Sequence, residues 1–271
     1  MLAILPIGNG LAAEDSELRP LAGDSSLSGK LGAIGMIIVG DAGTALSLAT
    51  GFLVSPCHVL TAAHVLARPG QRVTLGAPVK FVPSGANGRA AAPPVWGRVV
   101  AADPDFLMSE TPPGFNLPAI ARDWGLLELD QPLNDIEPIK LVFPGSRIAP
   151  PALFSIVGFP LGGRQIGLHA QEHCAPWAGH HGATDMSSML IADCAVRQGM
   201  SGGPLLIEGS AEPLAAGIVV ERVEIGRKVM TVAVPSAIFG DKVVAAMRDS
   251  EVCAAGSPFA WPPEPAKQTA P

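Results

Sequence analysis

Clusters of basic residues are missing from this 271-residue chain, whose net charge is -6. A surface that binds nucleic acid must neutralise many phosphates, so no nucleic-acid partner is expected. No apolar run reaches the roughly 18 to 20 residues that a helical membrane span needs, so no bilayer crossing is expected either. Charged residues are scarce at 15%, but 48% of the residues are hydrophobic, which excludes a disordered or fibrous chain and leaves a globular one with a large core. Internal repeats are not seen. Helical periodicity is nearly absent, and 31 glycines with 27 prolines punctuate the chain, the pattern of short strands and turns. Four cysteines, Cys57, Cys174, Cys194 and Cys253, are too few for a dense disulfide framework and allow three pairings.

What is present reads as two β units in tandem. Residues 1–30 form an N-terminal segment whose apolar start and Leu11-Ala12-Ala13 end read either as the remnant of a signal peptide begun upstream or as a frayed terminus. The first unit, residues 31–140, contains strand-like runs at Gly32 to Val39, Ala49 to Ala62, Arg72 to Leu75, Trp96 to Ala101 and Trp124 to Leu129. The second, residues 141–234, contains them at Leu153 to Gly158, Ile166 to Gln171, Ser188 to Cys194, Gly203 to Ile207, Leu214 to Val223 and Lys228 to Val234. A helix over 235–252 follows, with Ser236 as N-cap and Ile238, Phe239, Val243, Val244 and Met247 at helical spacing. Residues 253–271 are too rich in proline for helix or central strand and read as a tail without a further domain.

Three segments carry chemistry together. Acyl transfer by serine needs a nucleophile, an imidazole base and a carboxylate that orients the imidazole. LTAAHV places His64 at the end of a strand, with Ala62 and Ala63 small enough for close backbone packing beneath the ring. DWGLLELD places Asp123 at the entrance of a buried apolar strand, where its carboxylate can hold the imidazole Nδ1. QGMSGGPLL surrounds Ser201 with glycines, and Gly199 can adopt backbone conformations closed to other residues, so that its N–H and that of Ser201 can point at one oxyanion position.

TAAH, a following D-x-x-L-L-x-L and G-x-S-G-G-P, in the order His, Asp, Ser, resemble the three signatures of trypsin/chymotrypsin-like serine peptidases over roughly Gly32 to Val244. The resemblance implies an all-β fold of two six-stranded antiparallel barrels with a C-terminal helix and the active site between the barrels. It implies a serine endopeptidase acting on a protein or peptide substrate as a secreted or periplasmic monomer, with no cofactor and no metal. His64, Asp123 and Ser201 become the triad, and Gly199 and Ser201 the oxyanion donors. The alternative is a catalytically silent secreted binding protein on the same fold.

Departures from the family pattern are informative. Ala49 and Val65 stand where many members carry a disulfide, so that bridge is absent and Cys57 is left as a buried free thiol, the preferred reading, or bridged to Cys253. The preferred pair is Cys174 with Cys194, since each sits in a strand-like stretch on either side of a glycine-rich loop. Met200 replaces the acid that pairs with a newly cut N-terminus in zymogen-activated members, so the chain is closer to the bacterial branch. Ala195 stands where Lys/Arg-selective members carry Asp; with Val219 and Thr231 it would line an apolar, uncharged substrate pocket.

Other candidates have simpler readings. His173, Cys174, His180, His181, Asp193 and Cys194 fit no zinc-ligand spacing, and two thiols at strand positions more simply form a disulfide. Asp103 and Asp105 read as loop acids, His58 and His169 as structural or surface residues, and Trp124 as core packing beside Asp123.

Overall fold

The computed structural model describes residues 18–21, 32–40, 47–84, 90–110, 117–143, 152–161, 167–177, 189–210, 212–225 and 228–254. In chain order the elements are β1 (Arg19–Pro20), β2 (Ile34–Val39), β3 (Ser47–Ser55), β4 (His58–Thr61), α1 (Ala63–Leu66), β5 (Pro78–Pro83), β6 (Val95–Ala102), α2 (Leu117–Ile120) and β7 (Gly125–Leu129). They continue with β8 (Lys140–Leu141), β9 (Phe154–Gly158), β10 (His169–Cys174), β11 (Leu190–Ala192), β12 (Pro204–Ile207), β13 (Leu214–Ile225), β14 (Lys228–Pro235), α3 (Ser236–Arg248) and α4 (Glu251–Ala254).

The first six long strands close into an antiparallel barrel in the order β2-β3-β4-β7-β6-β5. Alternation makes its wall: in β6, Val95, Gly97 and Val99 are buried while Trp96 and Arg98 face out. Phe52, Phe81, Ile34, Ile37 and Leu60 are almost fully buried in the core. Gly51 has no room for a side chain, since a Cβ there would lie 2.9 Å from Ile37 and Val59 carbons. Strand β5 escapes a reading from sequence because it begins and ends with proline, at positions where no ladder N–H is needed. The expected strand at Arg72 to Leu75 is instead a loop, closed by the Ala77 N–H donating to the Thr74 carbonyl.

The second sheet runs β1-β10-β9-β12-β13-β14-β11, with β8 added to β13 in parallel. The segment after β10 meets β11: Pro176 bridges Ala192, and the N–H groups of Trp177 and Asp193 donate to the Ile191 and Ala175 carbonyls. Strands β9 to β14 thereby close on themselves, and the all-β double-barrel fold with one C-terminal helix is the observed one. The Cys174–Cys194 disulfide, with Cα atoms 5.3 Å apart, ties the end of β10 to the residues after β11 at this seam.

Helix α3 buries Phe239, Val243 and Met247, one residue per turn at four-residue spacing, and Phe239 stacks on Trp124 with ring centroids 5.8 Å apart. Ser236 is not the N-cap: Pro235 holds that position and Ser236 opens the helix, its buried hydroxyl engaged by the Val142 and Ala216 carbonyls. Asp103 is more than a loop acid, because its buried carboxylate accepts from Lys242 of α3 at 3.0 Å. Cys57 is not a free thiol: it is bonded to Cys253, with Cα atoms 5.9 Å apart, and joins the β3–β4 turn to α4. A separation of 196 residues hid that proximity in the sequence. His58 beside it is buried and held down to about 4 by desolvation, against the opposing pull of Glu128 across the strand pair, so its ring is neutral at neutral pH.

Candidate active site

His64 lies in the single turn α1, entered through the fully buried Ala62 and Ala63. Asp123 precedes β7 and is buried, and it clasps the histidine with both oxygens. The His64 backbone N–H donates to Oδ1 at 2.8 Å, and the ring Nδ1–H donates to Oδ2 at 2.7 Å. One carboxylate thus fixes backbone and ring together, sets the tautomer and leaves Nε2 as the basic nitrogen. Desolvation acts to lower the His64 pKa, but the charge and hydrogen bond of Asp123, with a further contribution from Glu221, outweigh it and the net shift is upward.

The loop carrying Ser201 is anchored one carbonyl at a time. Leu161 N–H donates to Gln198 O at 2.7 Å, and the Thr50 hydroxyl donates to Gly199 O at 2.8 Å. Gly203 N–H donates to Met200 O at 3.0 Å, and Thr50 N–H donates to Ser201 O at 3.0 Å. Peptide units are planar and trans, so fixing Gln198 O and Met200 O turns the N–H groups of Gly199 and Ser201 the opposite way. Among the described residues neither of those two N–H groups has a protein acceptor. Gly199 adopts φ +91° and Gly202 φ +85°, the left-handed region that favours glycine.

The same contacts bring the two barrels together at this loop. Thr50, fully buried on β3, also accepts the Phe159 N–H at 2.9 Å and gives its carbonyl to the Thr61 hydroxyl at 2.8 Å. A Cβ on Gly202 would meet Thr50 O, Thr61 Oγ1 and, at 3.0 Å, the Ala62 nitrogen. Ser201 is therefore set one residue from a backbone that packs against Ala62, itself two residues before His64. Its hydroxyl has no hydrogen bond among the described residues, and contacts of this kind commonly tighten only with substrate in place.

Of the residues expected to line the pocket, Ala195 is half-buried and its N–H donates to Gln171 Oε1 at 2.6 Å. Val219 exchanges backbone bonds of 2.7 and 2.8 Å with Gly202 and Gly203 beside Ser201, and the fully buried Thr231 hydroxyl donates to Cys194 O at 2.9 Å. His173 pairs with Glu208 at 2.9 Å, and His169 Nδ1 lies 3.0 Å from the Gly167 carbonyl. His180 and His181 lie outside the described residues. Sequence reasoning missed Thr50, Gln171 and Glu221. Thr50 left one trace, a hydroxyl within the apolar ATGFLV run, where a buried polar group needs partners.

The sequence model of a trypsin-like peptidase domain matches residues 49–210, more than half of the chain. No curated protein matches the sequence. Among solved structures, a Glu endopeptidase in complex with MPD is similar with a TM-score of 0.59 at 14% identity, covering 86% of this chain and 98% of the other. The protease Anisep from Arthrobacter nicotinovorans is similar with a TM-score of 0.59 at 16% identity, covering 84% of this chain and 98% of that one. At such identities these two show a shared fold.

Proposed function

Because the chain belongs to the trypsin-like peptidase family, we propose that it is a serine endopeptidase whose triad is His64, Asp123 and Ser201. Ser201 Oγ adds to the scissile carbonyl while His64 Nε2 takes its proton. The tetrahedral oxyanion is received by the N–H groups of Gly199 and Ser201. His64 then gives the proton to the leaving amine, and water enters by the same route in reverse to release the acyl group from Ser201. The observation that carries this reading is the double hydrogen bond from His64 to Asp123, which gives the ring its base-competent tautomer. A charge-assisted clasp of this kind, beside a loop with two unclaimed N–H groups, supports catalysis over a silent binding role.

Labelling by a fluorophosphonate, read with the Ser201→Ala variant and with hydrolysis of an unstructured protein substrate, tests the assignment. Ser201-dependent labelling and cleavage are expected; wild-type chain that neither labels nor cleaves would make it a binding protein. Ala195, Val219 and Thr231 are assigned to an uncharged pocket for the substrate side chain, and a panel of peptides in which cleavage after Lys or Arg dominates would overturn that assignment. Protein or peptide is the substrate, and a monomer suffices, since His64, Asp123 and Ser201 come from one chain. No helix among the described residues is long and apolar enough to cross a membrane. Two disulfides persist where thiols are not kept reduced, which supports a working enzyme in the periplasm or outside the cell.

A further inference from the structure

Peptide hydrolysis makes no use of a cluster of buried side chains between the β3–β4 turn and the end of the C-terminal helices. Ser55, Cys57 and His58 are fully buried there and Cys253 is 6% exposed. His58 Nδ1 lies 3.5 Å from Cys253 Sγ, 3.9 Å from Cys57 Sγ and 2.7 Å from Ser55 Oγ. Ser55 Oγ in turn lies 3.5 Å from Cys253 Sγ and 4.0 Å from Cys57 Sγ. The two sulfurs and the imidazole nitrogen all fall within 4.8 Å of one another.

Those separations can be compared with a coordination sphere. With zinc–sulfur bonds of about 2.3 Å and zinc–nitrogen bonds of about 2.0 to 2.1 Å at tetrahedral angles, a sulfur and a nitrogen on one ion stand roughly 3.5 Å apart and two sulfurs roughly 3.8 Å. The sulfur–nitrogen distances here are close to that value. Only the sulfurs, joined in the disulfide, stand too near, and reduction frees them to part to ligand spacing. Charge also closes: two thiolates neutralise a divalent ion and the imidazole is neutral, so the assembly buries no net charge. Glu128, facing His58 across the strand pair, is already held by Arg98 and Ser250 and leaves this balance intact.

We propose that, when the Cys57–Cys253 bond is reduced, this cluster binds one zinc-like divalent ion through Cys57 Sγ, Cys253 Sγ and His58 Nδ1, with Ser55 Oγ or water as fourth ligand. A dithiol supplies the two electrons and two protons that open the bridge and is itself oxidised to a disulfide. The ion then displaces the two thiol protons to solvent. Bridge and ion exclude one another, and both tie α4 to the β3–β4 turn, so the ion holds the C-terminal helices against the first barrel in a chain that has not yet been oxidised.

The full chain, unfolded with reductant and refolded without oxygen in the presence of cobalt(II), is the test. A thiolate-to-cobalt charge-transfer band with tetrahedral ligand-field absorption is expected at one ion per chain. Bridged protein should show none, and zinc should raise the melting temperature of the reduced chain alone. The Cys253→Ser and His58→Ala variants should each bind at least tenfold more weakly, whereas Cys174→Ser/Cys194→Ser, which removes the other pair of thiols, should retain the band. A reduced wild-type chain that takes up no cobalt, whether or not it refolds, overturns the proposal. So does uptake that Cys253→Ser leaves unchanged.

Discussion

Thr50→Val removes one hydroxyl from the joint between the barrels and keeps the branched shape that suits a buried strand. In the structure that hydroxyl donates to Gly199 O at 2.8 Å and accepts from Phe159 N–H at 2.9 Å, inside a fully buried residue. Orphaning a buried polar group costs about 1 to 3 kcal/mol, so two orphaned groups cost about 2 to 6 kcal/mol. Phe159 is only half-buried and water can reach it, which brings the expected loss to about 2 to 4 kcal/mol. Catalysis should suffer separately. The Gly199 carbonyl belongs to the peptide unit just after the Gly199 N–H, so its release lets the proposed oxyanion donor drift. Deleting such a donor outright costs about 100- to 1,000-fold in kcat, so loosening it should cost about 10- to 100-fold, with KM little changed. Chemical denaturation and steady-state hydrolysis at one pH measure both terms, and Thr50→Ser, which restores the hydroxyl, should recover most of each. A Thr50→Val enzyme with unaltered kcat and denaturation midpoint would refute the claim that β3 holds the nucleophile loop.

Asp123→Asn should keep the fold and lower kcat by about 10,000-fold, because the amide presents the wrong hydrogen-bonding face to Nδ1; steady-state kinetics with a burst-phase count of active sites checks it. Since His64 must be neutral to act as base and its pKa is raised, kcat/KM should fall as pH drops through a value above that of an ordinary histidine. Glu221→Gln removes one of the charges that raise it, so the acid limb of the profile should move to lower pH, and an unmoved limb would exclude Glu221 from the site's electrostatics. Gly202→Ala should destabilise by more than about 2 kcal/mol and abolish labelling, because a left-handed alanine is unfavourable by about 1 to 2 kcal/mol even before its Cβ meets Thr50 O and Thr61 Oγ1. Replacing Cys174 and Cys194 together by serine opens a bridge across 20 residues, worth roughly 3 kcal/mol, and should lower the unfolding midpoint measured in urea.

The parts legible in the sequence are those with a local signature. Alternating apolar runs gave most of the strands, helical spacing gave α3, and TAAH, DWGLLELD and GMSGGP gave the candidate triad, because each role needs a particular side chain in a particular local backbone. Contacts between distant segments were not legible. Nothing near Cys57 says that residue 253 will arrive there, since the pairing follows from α3 packing Phe239 on Trp124 and carrying α4 back over the β3–β4 turn. Prolines at both ends of β5 resemble a loop until the neighbouring strands show that those two N–H groups are not needed. Gln171 looked like an ordinary strand glutamine, and only the folded seam shows its carbonyl holding the Ala195 N–H.

Met200 is held by long-range apolar contacts at the position where zymogen-activated members of the family carry an acid. The acid expected before the nucleophile in zymogen-activated enzymes would need a buried cationic partner, and a buried ion pair repays its desolvation only with excellent geometry. Here Met200 is 1% exposed and packs in a cluster with Cys174, Cys194, Val196 and Leu205. Apolar burial of that side chain contributes about 1.5 to 3 kcal/mol without any ion-pair partner. What apolar packing cannot do is orient peptide planes, and that role falls to the backbone anchors: Leu161 and Gly203 on the Gln198 and Met200 carbonyls, Thr50 on the carbonyls of Gly199 and Ser201. The residues that shape the loop therefore come from β3, from the segment after β9 and from the loop itself. Its conformation is a consequence of the two barrels docking.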